Sequence, residues 1–196
     1  NSEVQERFGL LLQEVQRLKG IIDKLLLLSK ADSGQLRHLT EKFNLSDLVT
    51  DVADDAVEMA PELSIERNIP EGLCIEGDPE LMRQIVFNLT SNAIKYNTMD
   101  GSVNLNLTLD QEKKELYLTV ANSGNAIPEE AAAHIFDRFY RVDPSRNRKV
   151  HGLGLGLPLA REFAELHKGK LELTENRNGQ VAFTLTLPMT ANEGSA

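Results

Sequence analysis

Over Asn1 to about Asp32, the apolar residues Val4, Phe8, Leu11, Val15, Leu18, Ile22 and Leu25 alternate steps of four and three. That is the heptad spacing of helices that pack in bundles. Leu12, Ile21, Leu26, Leu27 and Leu28 widen the stripe beyond a two-stranded seam. A helix this apolar does not stand alone in water, so it packs either in a dimer, the simplest solution, or onto its own globular domain. Residues 33–43 are polar, begin with Ser33-Gly34 as a helix stop, and read as a linker. His38 falls in this stretch, where a histidine is ordinarily solvated.

Asn44-Leu45-Ser46 leads into a helix that runs to about Ala60 and is stopped by Pro61. Leu63 to Ile69 and Leu73 to Ile75 read as short strands around the turn residues Pro70-Glu71-Gly72. Asp78-Pro79 then starts the central helix, because Asp caps free backbone N–H groups and Pro suits the first helical position. Met82, Ile85, Val86, Leu89 and Ala93 make its apolar face, and Gln84, Asn88, Asn92 and Lys95 line the edge of that face, with Tyr96 one position round. This helix therefore borders a core on one side and a polar cleft on the other. Asn is no favoured helix-interior residue, so two of them one turn apart are either chance content of a solvated face or a site. As a site, their amide oxygens suit magnesium and the Lys suits phosphate.

Val103, Leu105, Leu107 and Leu109 alternate with polar residues, as do Leu116, Leu118 and Val120, which predicts an antiparallel hairpin with one buried face. A second hairpin pairs Leu171 and Leu173 with Val181, Phe183, Leu185 and Leu187, with the turn at Asn176 to Gly179. Two short helical stretches lie between the hairpins. Strands and helices segregate, so the expected class is α+β: one mixed sheet with helices packed on one face, preceded by one long bundle helix.

Composition narrows the function. With 196 residues and 41% hydrophobic content, the chain holds one good core plus an appendage. A formal net charge of -9 disfavours nucleic acid or an anionic membrane as general partner. No run approaches the roughly 18 apolar residues of a membrane span, and the lone Cys74 forms no internal disulfide. A soluble protein of a reducing compartment is the expectation. The opening inside a helix suggests a piece of something longer.

Chemistry collects in three further stretches. Asn122-Ser-Gly124-Asn-Ala126-Ile127-Pro128 follows a strand, and Gly124 allows close approach of a flat ligand. Phe136-Asp-Arg-Phe139-Tyr-Arg141 joins apolar anchors to arginines, and Arg146, Arg148, Lys149 and His151 extend the positive cluster. This segment is either an exposed basic loop or a lid that orders around phosphate. Gly152-Leu153-Gly154-Leu155-Gly156-Leu157 then opens a helix, offering backbone N–H groups to an anion. It is neither the dinucleotide fingerprint, since no strand precedes it, nor a Walker loop, since the closing Gly-Lys-Ser/Thr is missing.

The order of these four stretches is more specific than any one of them. NLTSNAIKY from Asn88, NSGNA from Asn122, FDRFY from Phe136 and GLGLG from Gly152 resemble the Asn box, first glycine box, phenylalanine box and second glycine box of the ATP-binding catalytic domain of bacterial two-component sensor histidine kinases. FDRFYRVDPSR is further similar to the subgroup that senses heavy metals such as copper and silver. The resemblance implies the two-layer ATP-binding sandwich over 44–190, the second helix of a dimerisation hairpin over 1–32, and a flexible tail over 191–196. It implies ATP and magnesium as ligands: Asn88 and Asn92 on the metal, Lys95 and Tyr96 on phosphates or ribose, and Asn122 on the adenine amine. Gly124, Ala126 and Ile127 would lie along the base, with Phe136 and Phe139 beside the lid. Arg141 would reach the terminal phosphate, while Gly152, Leu153, Gly154, Leu155, Gly156 and Leu157 would give the lid its hinge and phosphate-facing amides. Catalytic weight would fall on Asn88, Lys95 and Arg141. The implied activity is transfer of the γ-phosphate of ATP to a histidine on the dimerisation hairpin, for relay to a response regulator. Such a protein is a homodimer in a bacterial cytoplasm, anchored in the inner membrane.

The acceptor of that family stands in an H-E-L-R-T-P-like segment on the first hairpin helix. His38, His134, His151 and His167 all lack that context, so this chain is expected to bind Mg-ATP without phosphorylating itself. Relatives that hydrolyse ATP carry a carboxylate one turn before the magnesium Asn as general base. Here Asn88 stands there, and its amide cannot accept the proton. A serine kinase of the anti-sigma-factor type fits less well because of the heptad helix. A nucleotide-gated interaction module without catalysis is the alternative, because the family's usual Asp is Asn122 here and its usual Gly is Ala126. An Asn oxygen still accepts from the adenine amine, but without charge assistance, and its NH2 can donate to a guanine oxygen. Asn122→Asp is therefore expected to tighten ATP binding and raise the preference for ATP over GTP in competition titrations. Unchanged affinity and preference would contradict this.

Overall fold

A computed structural model describes residues 2–34, 39–142 and 153–189. The chain divides into two units, 1–37 and 38–196. In the first, α1 (Ser2–Asp32) is one continuous helix, as the heptad spacing predicts. It leaves Val4, Phe8, Leu11, Val15, Leu18 and Ile22 each more than half exposed.

The second unit opens with β1 (Glu41–Asn44), a short strand that the polar composition of this stretch conceals. It pairs antiparallel with β3 (Cys74–Gly77), so β3 lies in a small sheet of its own and not in the single sheet expected. Between them, α2 (Leu45–Met59) starts where Asn44 Oδ1 accepts the N–H groups of Ser46 and Asp47. Leu45 N–H donates to the Leu73 carbonyl at 2.8 Å, which ties the start of α2 to the beginning of β3.

The main sheet has the order β2-β4-β5-β7-β6, built from β2 (Ser64–Asn68), β4 (Ser102–Asp110), β5 (Glu115–Ser123), β6 (Lys170–Arg177) and β7 (Gln180–Pro188). Only β2 and β4 run parallel. Alternation sorts the two faces: Val103, Leu105, Leu107, Leu116, Leu118, Val120, Val181, Phe183, Leu185 and Leu187 are buried. On the opposite face, polar residues pair across strands, Asn68 Nδ2 donating to Asn106 Oδ1 at 2.8 Å and Thr119 bonding Thr184 at 2.9 Å.

The buried face carries α2, α3 (Pro79–Lys95) and α5 (Gly156–Leu166), with the single turn α4 (Glu129–Ala132) on the way. From α3 the core receives Met82, Ile85, Val86, Leu89 and Ala93, and from α5 Leu159, Ala160, Phe163 and Ala164. Burying such a side chain contributes on the order of 1.5–3 kcal/mol, which fixes the rotation of α3 and hence the direction of its polar edge.

The start of α3 is held from three directions. Asp78 Oδ1 accepts from the N–H groups of Glu80 and Leu81 at 3.0 and 3.1 Å, and its Oδ2 accepts from Leu39 N–H at 3.0 Å. Its own N–H donates to His167 Nε2 at 3.0 Å. His167, just past α5, is buried and sets Nδ1 2.7 Å from the Phe163 carbonyl. A carbonyl only accepts and an N–H only donates, so the tautomer carries its proton on Nδ1. His167 thus joins the first turn of α3 to the last turn of α5. Gly77 leaves room for this ring, since a side chain there would collide with it.

Candidate functional site

Two segments far apart in sequence, the start of α5 and the loop after β5, come up against α3. Asn88 and Asn92 are half-buried there, and neither amide is used in a hydrogen bond among the described residues. Half-buried amides without partners need a ligand or water to satisfy them. A Cβ on Gly156 would stand 3.4 Å from Asn88 Oδ1, so the start of α5 lies directly against this asparagine. No side chain caps α5, which leaves its first N–H groups without a side-chain partner.

At the far end of α3, Lys95 lies in the last turn and Tyr96 follows it, both exposed. The loop after β5 comes up against this end, because a Cβ on Gly124 would sit 3.0 Å from the Tyr96 carbonyl and 2.8 Å from Asn122 Nδ2. A residue with a side chain would push these apart. Asn122 itself is buried, and its Nδ2 donates to the Ser123 carbonyl at 2.9 Å. Because a carbonyl can only accept, this bond fixes the amide and leaves Oδ1 as the free acceptor. That orientation suits an adenine amine. It narrows the expectation that the NH2 serves a guanine oxygen, since one of its two protons is already used. Along the same loop Ala126 is exposed and Ile127 half-buried.

The phenylalanine segment is joined to the second glycine segment at the backbone. Phe139 N–H donates to the Gly154 carbonyl at 3.0 Å. Phe139 holds a φ of 65° and Gly154 one of 69°, a region that costs a residue with a side chain roughly 1–2 kcal/mol. A Cβ on Gly154 would also collide with the Tyr140 carbonyl. The backbone of Phe139 and that of Gly154 are therefore pinned to each other. Phe139 is exposed and Arg141 half-buried. Phe136 turns elsewhere: its ring meets Phe183 edge-on at 6.2 Å and lies under the Arg161 guanidinium at 5.6 Å. It anchors its segment to the sheet and to α5. Leu153 is exposed, Leu155 buried and Leu157 half-buried. Gly152, Arg146, Arg148, Lys149, His151 and His38 lie outside the described residues.

No group of three His, Cys, Asp or Glu side chains able to hold a metal occurs among the described residues. The amide oxygens of Asn88 and Asn92 are hard donors, and two such ligands fit magnesium, which keeps waters and takes further oxygens from substrate phosphates.

The sequence profile of the histidine kinase-, DNA gyrase B- and HSP90-like ATPases matches residues 77–191. The chain belongs to this ATPase family. Sensor histidine kinase WalK of Bacillus subtilis is 34% identical over 96% of the chain, and sensor histidine kinase CusS of Escherichia coli K12 is 34% identical over 90%. This family member spans 31% and 36% of those relatives' lengths. Among solved structures, the catalytic domain of histidine kinase ThkA superposes with a TM-score of 0.65 at 29% identity, covering 78% of this chain and 97% of that one. Acinetobacter baumannii histidine kinase AdeS shares the fold at a TM-score of 0.76 and 23% identity, over 94% of this chain and 84% of its own. The matched residues 77–191 contain all four segments, and the region is the ATP-binding catalytic domain found in sensor histidine kinases.

Two residues that matter here carried no signal of their own in the sequence. His167 finds its partner in Asp78, 89 residues earlier. Asn176 bonds the backbone of Ile127, although its place beside Gly179 reads as turn chemistry.

Gly154→Ala is expected to lower stability by more than about 1 kcal/mol, because it combines a left-handed backbone with a collision against Tyr140. Urea denaturation measures this, and an unchanged midpoint would contradict the pinned junction.

Proposed function

We propose that the chain binds Mg-ATP along α3 and serves as the catalytic part of a sensor histidine kinase, with the γ-phosphate going to a histidine on a dimerisation hairpin. The observation that carries this reading is the pair of unpartnered, half-buried amides of Asn88 and Asn92 one turn apart on α3, the first lying against the start of α5. Their Oδ1 atoms would hold magnesium, which would supply charge neutralisation for the triphosphate. Lys95 and Arg141 supply positive charge to the phosphates. The N–H groups at Leu155, Gly156 and Leu157 meet them at the dipole-positive end of α5. Asn122 Oδ1 accepts from the adenine amine, with Gly124, Ala126 and Ile127 along the base and Tyr96 beside the ribose. Since the Asn88 amide cannot take a proton from water, hydrolysis is disfavoured and transfer to a protein nucleophile is preferred.

In this reading α1 is the second helix of a dimerisation hairpin. Its exposed stripe of Val4, Phe8, Leu11, Val15, Leu18 and Ile22 packs against the other helices of a homodimeric bundle. Residues 33–43 connect it to the catalytic domain, which spans 44–190. A response regulator's Asp receives the phosphate, and FDRFYRVDPSR supports the heavy-metal subgroup. No described helix is long and apolar enough to cross a membrane. The intact protein is proposed to be anchored in a bacterial inner membrane with this part in the cytoplasm.

The experiment supplies, in trans, a dimerisation hairpin bearing its histidine, together with labelled ATP. Acid-labile, alkali-stable phosphohistidine on the hairpin, and none on the chain alone, is the expected result. Nucleotide binding without any transfer would favour the interaction-module alternative raised by Asn122 and Ala126. Phosphohistidine on the isolated chain would contradict the placement of the acceptor.

A further inference from the structure

The loop carrying Ala126 and Ile127 is held by groups outside itself. Gly124 N–H donates to the Gly179 carbonyl at 2.9 Å. Asn176, on β6, makes the closer attachment: its Oδ1 accepts from Ile127 N–H at 2.6 Å, and its Nδ2 donates to the carbonyl of that same residue at 2.7 Å. A carboxamide carries both an accepting oxygen and a donating NH2, and so can pair both backbone groups of one residue as a neighbouring strand would. A carboxylate lacks the donor.

The topology explains how Asn176 reaches the loop. Asn122 pairs with Val181 on β7, and Val181 pairs with Asn176 on β6, so the two asparagines stand in one row on one face with a buried valine between them. The register slips between Leu173 and Glu175, where β6 carries an extra residue. Without that bulge, alternation from Leu171 and Leu173 would turn Asn176 to the opposite face. The loop leaves β5 after Ser123 and is caught at Ile127 by Asn176.

We propose that Asn176 is a positioning residue for nucleotide recognition: its two-point hold on Ile127 fixes the loop edge against which the base lies, and so sets affinity for the base and not for the phosphates. This rests on the nucleotide reading given above. The distinction is geometric, because the proposed phosphate-facing groups are on α3, at Arg141 and at the start of α5, while the hydrogen bonds of the Asn176 side chain among the described residues go to the loop after β5. Ala126 supplies no hydrogen-bonding side chain, so this part of the loop depends on β6 for its place.

Two measurements on the parent chain, Asn176→Ala and Asn176→Asp test the proposal. The first is amide hydrogen exchange without nucleotide. Exchange at Ile127 is expected to rise at least about tenfold in both variants, with β5 and β7 unchanged, since the Asp variant sets a carboxylate oxygen against the Ile127 carbonyl. The second is calorimetric titration with Mg-ADP and, separately, Mg-tripolyphosphate. Affinity for Mg-ADP is expected to fall about tenfold, the order of one lost hydrogen bond, with tripolyphosphate affinity unchanged. Unaltered exchange at Ile127 would overturn the two-point hold itself. Faster exchange with unaltered Mg-ADP affinity would overturn its role in recognition. An equal loss for both ligands would reduce Asn176 to a stability residue. A parent chain that binds neither ligand would remove the nucleotide reading, and this proposal with it, whatever the exchange data show.

Discussion

One helix does two jobs here, and the rest of the second unit depends on its being held at one height and one rotation. The stripe that buries α3 and the edge that carries Asn88 and Asn92 are parts of the same helical surface. A slip of one residue, about 100° of rotation, would bury the amides and expose Ile85 or Leu89. Packing against the sheet, α2 and α5 resists rotation. Asp78 resists axial movement: one side chain caps the first turn and takes the N–H of Leu39, while its backbone is held by His167. Through His167 the start of α3 and the end of α5 move together. Asn88 on α3 and Gly156 at the start of α5 therefore belong to two helices that are tied to each other.

Around this fixed helix the loops approach the frame closely at glycines, and the side chains of Phe136 and Asn176 tie them down. Gly124 lies against the Tyr96 carbonyl, Gly154 against Tyr140, and Gly156 beside Asn88. Each glycine marks a point where a loop touches the frame, which brings main-chain N–H groups close to a ligand without large side chains between. The chemistry that follows is positioning and charge neutralisation. It needs little more from the protein than hard oxygen donors, cations and amides at fixed distances.

Much of this is legible in the sequence, for reasons that differ by element. The central helix is readable because capping by Asp78-Pro79, apolar period and asparagine edge agree on one rotation. Both hairpins are readable because each buries one face, so Val103 to Leu107 and Phe183 to Leu187 alternate without interruption. The strand β1 is not, since its four residues Glu41 to Asn44 carry one apolar side chain and no alternation. The small sheet it makes with β3 is hidden for the same reason. Asn176 escapes because a bulge inverts the parity that Leu171 and Leu173 establish, and nothing local announces the extra residue. His167 escapes because its use depends on a partner brought near only by folding. The resemblance supplied by the four boxes named the ligand before any distance was known. It did not supply the ties that hold the boxes together, nor that Phe136 serves as an anchor to Phe183 and Arg161.

The most direct test of the central claim is a calorimetric titration of a non-hydrolysable ATP analogue, with and without magnesium, into this chain and into Asn92→Ala. Magnesium-dependent binding to the parent chain, lost in the variant while the variant stays folded, is the expected result. Magnesium-independent binding, or equal binding by Asn92→Ala, would contradict the assignment of the metal-phosphate site to α3.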